Sequence, residues 1–286
     1  MVDPRNMVIG LSGVAYNSIM KEISLIPMVS ASDVKSRLSF LSCVYSVAFT
    51  MRSGSNQICE YLSQNKCGNP TELFQNGITD WNGTCDNEIE SLIRTVSQHT
   101  RRSVFGSKMT HDQRALLDEQ LRSAISDYRN LNDIFPNHRW IWLIRRDKIR
   151  QAISLCRAEE SGVWVGHREM LSPKIKYNYR RILSRIMRLY AADLAWKTYF
   201  EKHSIVPYII YYEQFFTDLP TNLAKLLQYI GAFNAIPKME GSLKMITDYS
   251  NERLRQMFID DLIRAGEKKF EEEWPSPIEW NKIFFG

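Results

Sequence analysis

The chain has 286 residues, of which 44% are hydrophobic, 24% charged and 12% aromatic. That composition supports a sizeable buried core and excludes a disordered or collagen-like chain. The 37 Lys and Arg against 32 Asp and Glu leave a formal charge of +5, an excess too small to argue for nucleic acid and equally suited to one anion pocket.

Mean hydropathy is −0.32, and no uninterrupted apolar stretch reaches roughly 18 residues, so no transmembrane helix is expected. The five cysteines, Cys43, Cys59, Cys67, Cys85 and Cys156, form no C-x-x-C pair. Cys43 and Cys59 fall in a strand and a helix and read as small core residues. A Cys67–Cys85 disulfide is the minority alternative. The start Met-Val-Asp-Pro-Arg, followed by an apolar stretch broken by Ser, Asn and Lys, is a poor secretory signal. A reducing, cytoplasmic setting is therefore the expectation.

Residues 1–38 show no clear period and read as an extension or arm. Residues 41–50 (LSCVYSVAFT) are short, mostly apolar and followed by a Gly/Ser cluster, which predicts a buried strand running into a loop. A helical stripe follows to Asn65, then a Gly-, Asn-, Thr- and Pro-rich loop over 66–87. Further on, the pattern predicts helix 87–100, strand 103–109, helix 112–128, strand 139–144 and helix 147–160. It continues with helix 174–202, strand 207–212, helix 214–230 and helix 251–265. Alternating strands and helices point to an α/β fold, a single domain with a mainly parallel central sheet flanked by helices. The expected division is an N-terminal extension at 1–40, one domain over 41–270 and a tail at 271–286.

The segment Thr50-Met-Arg-Ser-Gly-Ser-Asn56 lies between a strand and a helix. A Gly-containing turn there aims free backbone N–H groups at one spot, and the helix N-terminus adds partial positive charge, which together cradle a phosphate. Arg52 supplies a fixed cation and Ser53 and Ser55 supply hydroxyls. A simple Ser-Gly helix cap explains the same seven residues as well. The segment is no Walker A loop, because G-x-x-x-x-G-K-[ST] is absent.

A second anion site is expected where strand 139–144 ends in Arg145-Arg146-Asp147-Lys148, with Ser154 about two turns into the next helix. Ligands of open α/β sheets bind outside the carboxyl ends of strands. An Arg52-based and an Arg146-based site would then face one crevice and suit a nucleotide with two separated phosphates. A solvated charge run is the plainer alternative for Arg145 and Arg146.

Six motifs then occur in order: Met51-Arg-Ser-Gly-Ser, Pro70-Thr-Glu-Leu-Phe74, Phe105-Gly-Ser-Lys108, Arg145-Arg-Asp-Lys148 with Gln151-Ala-Ile-Ser-Leu155, Gly162-Val-Trp164 and Tyr211-Tyr-Glu213. On these the chain, over roughly residues 42–265, resembles the trehalose 2-sulfotransferase-like family of bacterial carbohydrate sulfotransferases. The resemblance implies a P-loop-like nucleotide-binding sulfotransferase fold, no metal, and 3′-phosphoadenosine 5′-phosphosulfate as donor. The acceptor would be a carbohydrate, a trehalose-like sugar or a glycolipid, and a homodimer is expected because the family is often dimeric. It further implies that Arg52, Ser53, Gly54, Ser55 and Asn56 form the 5′-phosphosulfate loop. Arg146 and Ser154 would bind the 3′-phosphate, and Glu72 would be the catalytic base.

The chain departs from the family at Asn56, where Thr is usual, and at His111, where an aromatic residue is common. The segment 77–87 also looks individual to this chain. His111, soon after Lys108, is the rival base, with a structural role as its alternative. Trp164 reads as core more than as a sugar platform. A P-loop-like nucleotide kinase or NTPase, and a non-enzymatic anion-binding protein of the same fold, are the competing functions.

Overall fold

A computed structural model describes residues 28–78, 88–164, 175–231, 237–239 and 249–269. Its elements in chain order are α1 (Ala31–Arg37), β1 (Cys43–Phe49), α2 (Ser55–Gln64), α3 (Glu88–His99), β2 (Val104–Met109), α4 (His111–Ala124), β3 (His138–Ile144), α5 (Lys148–Ser161), α6 (Tyr179–Lys202), β4 (Tyr208–Tyr211), α7 (Tyr212–Thr217), α8 (Leu219–Ile230) and α9 (Tyr249–Lys269).

The four strands form one parallel sheet in the order β2-β1-β3-β4. Every residue of β1 is buried, as expected for the inner strand of a sheet covered on both faces. Its side chains alternate: Val44 and Ala48 enter one apolar cluster with α3, α4 and Trp140, while Cys43, Tyr45, Val47 and Phe49 enter another with α2 and α8. Each fully buried Val, Leu, Ile or Phe contributes about 1.5–3 kcal/mol, so this one strand anchors both layers. A third cluster joins α5, α6 and α9 through Ile153, Ile186, Leu189 and Phe258. Helix α6 ties it to the sheet, because Trp196 packs against Trp140 and its Nε1 donates to the Phe49 carbonyl at 3.2 Å.

Several expectations shift. The end of the supposed N-terminal arm is built into the core: Ser30 caps α1, and Ala31, Val34 and Leu38 are buried. Residues 1–27 lie outside the described residues. The helix expected over 214–230 breaks at Asp218, which caps α8 while Pro220 occupies its first turn. Proline lacks the N–H that a continuous helix would need and is tolerated in a first turn. Cys67 carries a free thiol and is buried, as are Cys43 and Cys59, so the Cys67–Cys85 disulfide is not formed. Cys85 itself, and most of the segment 77–87, lie outside the described residues. No helix among the described residues is long and apolar enough to cross a membrane.

Strand register places Phe49, Met109, Ile144 and Tyr211 at one edge of the sheet. The residues that follow them, Thr50, Thr110, Arg145 and Tyr212, all line one cleft of about 1890 Å³. That is the carboxyl edge where an α/β sheet binds its ligands.

Candidate active site

The loop after β1 is a tight turn in which Ser53 N donates to the Thr50 carbonyl at 3.2 Å. Arg52 has φ 63° and Gly54 φ 94°, the left-handed region that glycine tolerates and most residues avoid. Gly54 is required for a second reason. A Cβ there would lie 2.3 Å from the Tyr212 ring, which covers the turn. The turn aims Arg52, Gly54, Ser55 and Asn56 into the cleft. Ser53 instead points inward, fully buried, and its hydroxyl has no partner among the described residues.

Arg52 is the electrostatic centre of this loop. Its Nε donates to Ser154 Oγ at 2.9 Å, and its Nη1 donates to the Trp164 carbonyl. Arg145 lies beside it: Nη1 donates to the Arg52 carbonyl at 3.1 Å, and its guanidinium stacks 5.0 Å from the Tyr212 ring centre. Burial first, and then the neighbouring Arg145 charge, lower the pKa of Arg52 from its ordinary value. Neither arginine has a carboxylate within 4 Å among the described residues. Arg145 Nε is also buried without a partner. Two adjacent, half-buried, uncompensated cations are costly unless an anion joins them.

The structure brings Arg52, Gly54, Ser55, Asn56 and Ser154 together in the cleft, but not Arg146. Arg146 is exposed, with its guanidinium 3.9 Å from the Tyr211 ring centre. Its backbone N–H and that of Asp147 donate to the two carboxylate oxygens of Glu213, each at 3.1 Å. Glu213 thereby closes the turn ahead of α5. Trp164 is not core: it is 44% exposed and lines the cleft.

Glu72 lines the same cleft as the loop after β1. Its loop is docked on β2, where Lys108 N donates to the Thr71 carbonyl at 3.0 Å. One carboxylate oxygen pairs with Lys108 Nζ at 3.0 Å, and the other accepts from Gln113 Nε2 at 2.9 Å. The same Lys108 ammonium donates to Asn56 Oδ1. A single buried cation therefore links the Glu72 loop to the loop after β1. Asn56, by accepting with its oxygen, turns its Nδ2 donor the other way.

His111, the first residue of α4, also lines the cleft. Its Nε2 lies 3.0 Å from Arg114 Nη2. Burial first, and then Arg114, lower its pKa from the ordinary value. Arg114 has only donors to offer, so it is Nε2 that accepts.

Beneath the cleft, Lys148 is nearly fully buried. Its ammonium pairs with Asp193 at 2.5 Å and donates to the Arg145 carbonyl at 2.6 Å and to Gln151 Oε1 at 3.1 Å. Gln151 in turn donates to Thr50 Oγ1 and to the Met51 carbonyl. This network braces the turns after β1 and β3 from behind. Burial raises the Asp193 pKa, and the Lys148 charge opposes that rise. Lys108, Lys148, Gln151 and Tyr212 stand within the sequence motifs, which on their own assign them no role. Gln113 and Asp193 carried no signal, because their partners lie 41 and about 45 residues away in sequence.

Among the described residues, no group of three His, Cys, Asp or Glu side chains could hold a metal ion. Comparison with known proteins shows that residues 44–258 match the family described as Stf0 sulphotransferase. The chain is also similar to the trehalose 2-sulfotransferase of Mycobacterium tuberculosis (strain ATCC 35801 / TMC 107 / Erdman), at 28% identity over 228 residues, covering 65% of this chain and 84% of that one. With the family match spanning most of its length and the whole cleft-bearing sheet, this chain belongs to the Stf0 sulphotransferase family.

Proposed function

We propose that this sulphotransferase moves a sulfuryl group from 3′-phosphoadenosine 5′-phosphosulfate to a hydroxyl of a carbohydrate, with trehalose or a trehalose-containing glycolipid as the first candidates. The observation that carries the reading is the uncompensated Arg52–Arg145 pair facing the same cleft as Glu72. The pair fits an anionic donor, and Glu72 fits an acceptor that must lose a proton. The acceptor class rests on the name of the Mycobacterium relative. Family membership sets aside the nucleotide-kinase alternative.

In the proposed reaction, the acceptor oxygen forms a bond to sulfur as the bond from sulfur to the 5′-phosphate oxygen breaks, with the two oxygens roughly in line. The acceptor proton passes to Glu72. Arg52, Arg145 and the amides of the turn neutralise charge growing on the leaving phosphate. Ser154, held by Arg52 in the cleft, is assigned to the 3′-phosphate, and Arg146, which does not line the cleft, would have to reach it from the exposed surface. Glu72 is the base in preference to His111, because Arg114 already occupies the Nε2 lone pair and the remaining nitrogen of the neutral ring carries the hydrogen.

The test is Glu72→Gln, which keeps the side chain's size and one acceptor oxygen, so that it can still accept from Lys108 but no longer from Lys108 and Gln113 at once. We expect kcat for transfer to trehalose to fall by about 10²–10⁴-fold, while thermal stabilisation by 3′-phosphoadenosine 5′-phosphate stays at the wild-type value. Full activity in Glu72→Gln would remove Glu72 as base. A wild-type chain that the bisphosphate does not stabilise would overturn the donor, and a stabilised chain with no transfer to trehalose would overturn the acceptor.

A further inference from the structure

The hydrogen-bond chain behind His111 fixes which face of the imidazole meets the cleft. Nε2 accepts from Arg114 Nη2 at 3.0 Å. Arg114 is itself buried, its Nη1 donates to Asp118, and its guanidinium lies 4.2 Å from the Tyr199 ring centre. Asp118 is fully buried and accepts from the Tyr128 hydroxyl as well. Trp196 packs edge-on against the imidazole with ring centres 5.6 Å apart. The charged groups that act on His111 are thus Arg114, Asp118 and Asp112.

A guanidinium cannot accept a hydrogen bond, so the neutral imidazole carries its hydrogen on Nδ1. Nδ1 lies on the side of Asp112, whose carboxylate is 97% exposed and 4.0 Å away. That gap is longer than a hydrogen bond, so the N–H and the carboxylate each remain open to a ligand. Both residues line the cleft, and the next residue, Gln113, holds Glu72. One helix start therefore presents a donor, an acceptor and the support of the proposed base in three consecutive residues.

We propose that His111 and Asp112 form the acceptor subsite, His111 Nδ1–H donating to one hydroxyl of a vicinal diol and the Asp112 carboxylate accepting from its neighbour. This rests on the sulfuryl-transfer reading and deepens it: the substrate class is a polyhydroxylated sugar held by a diol, and the buried Arg114–Asp118 pair sets its orientation through the tautomer of His111. A hydroxyl adjacent to the gripped pair is then offered to Glu72. A site that hydrogen-bonds a substrate hydroxyl discriminates strongly against analogues that lack it.

Two measurements test this on the full chain. Long-range ¹⁵N–¹H NMR of histidine side chains, with His111→Gln used for assignment, reads the tautomer with no acceptor present. The expected result is a bare Nε2 and a protonated Nδ1 near pH 7, and Asp118→Asn disturbs that pattern. An Nε2–H tautomer or an imidazolium near pH 7 overturns the proposal.

Steady-state transfer to trehalose is the second. His111→Ala and Asp112→Asn raise KM for trehalose about tenfold or more, with a much smaller change in kcat and the bisphosphate thermal shift retained. His111→Asn, whose amide N–H sits near the Nδ1 position, recovers most of the loss, and His111→Gln does not. An unchanged KM in His111→Ala, or a loss confined to kcat, overturns the subsite. A wild-type chain that leaves trehalose untouched overturns the acceptor named under the proposed function, while the tautomer measurement still decides the subsite.

Discussion

Arg52 Nε donates to Ser154 Oγ at 2.9 Å across 102 residues of sequence. The bond joins the turn after β1 to the helix after β3, so the two segments line one cleft as a unit. Arg145 completes it by donating to the Arg52 carbonyl. The site therefore contains a half-buried cation pair, with the exposed Arg146 outside it on the ring of Tyr211.

This arrangement ranks the arginines. Removing Arg52 or Arg145 deletes a half-buried cation, whose interaction with a phosphate is less screened than that of the exposed Arg146. Calorimetric titration with 3′-phosphoadenosine 5′-phosphate should show affinity lost by about tenfold or more in Arg52→Ala and in Arg145→Ala. Arg146→Ala should lose less, and its remaining affinity should be less sensitive to added salt than that of wild type. Equal losses in Arg145→Ala and Arg146→Ala would contradict the ranking.

Gly54 gives a second prediction, because two constraints meet on one backbone position. Any L-residue there adopts φ near 94°, which costs roughly 1–2 kcal/mol. A Cβ would also drive into Tyr212, 2.3 Å away. Tyr212 has little room to retreat, since its hydroxyl donates to Gln57 at 3.3 Å and Arg145 stacks on its ring. Gly54→Ala should lower the melting temperature and abolish stabilisation by the bisphosphate. Gly231→Ala is the control: it carries a similar backbone cost at φ 84°, but among the described residues its Cβ would meet the Arg139 guanidinium at 3.4 Å, an ordinary contact. It should lose stability and keep the full ligand response. A Gly54→Ala protein with wild-type ligand response would show that Tyr212 yields.

The sheet was legible because its strands are short apolar runs separated by helices, and β1, buried on both faces, reads as continuous apolar sequence. The loop after β1 was legible as a turn and helix start, because Ser-Gly-Ser lies between a strand and a helix, but those residues did not separate a cap from a ligand cradle. What sequence alone could not resolve is which neighbour faces inward. Arg145 and Arg146 are adjacent and chemically alike, and only the register at the end of β3 and the ring of Tyr211 separate them. Ser53 shows the same limit, because the turn rotates its hydroxyl away from the cleft that Ser55 lines. Pairings such as Lys148 with Asp193 are long-range and leave no local pattern. Residues 28–38 were misread for another reason: α1 is only seven residues long, too short to show a helical period.

His138, on β3, makes stability depend on pH without touching the cleft. Its Nδ1 lies 2.7 Å from Asn132 Oδ1 and its Nε2 lies 3.0 Å from Ser46 Oγ. The neutral ring satisfies both by donating to Asn132 and accepting from Ser46. Burial lowers its pKa to about 3. In the unfolded chain the ring takes up a proton near its ordinary value of about 6.5. Between these two values the unfolded state holds more protons, so native stability falls as pH drops from about 6.5 toward 3 and is unaffected above that window. Burial also lowers His111 and His203, so they add to the same slope. Denaturant melts between about pH 6.5 and 5, above the range in which most carboxylates titrate, should show wild-type stability declining by roughly 1–2 kcal/mol. His138→Gln should be less stable near neutrality, yet decline less over the same interval. Parallel pH curves for the two proteins would show that His138 is not the group responsible.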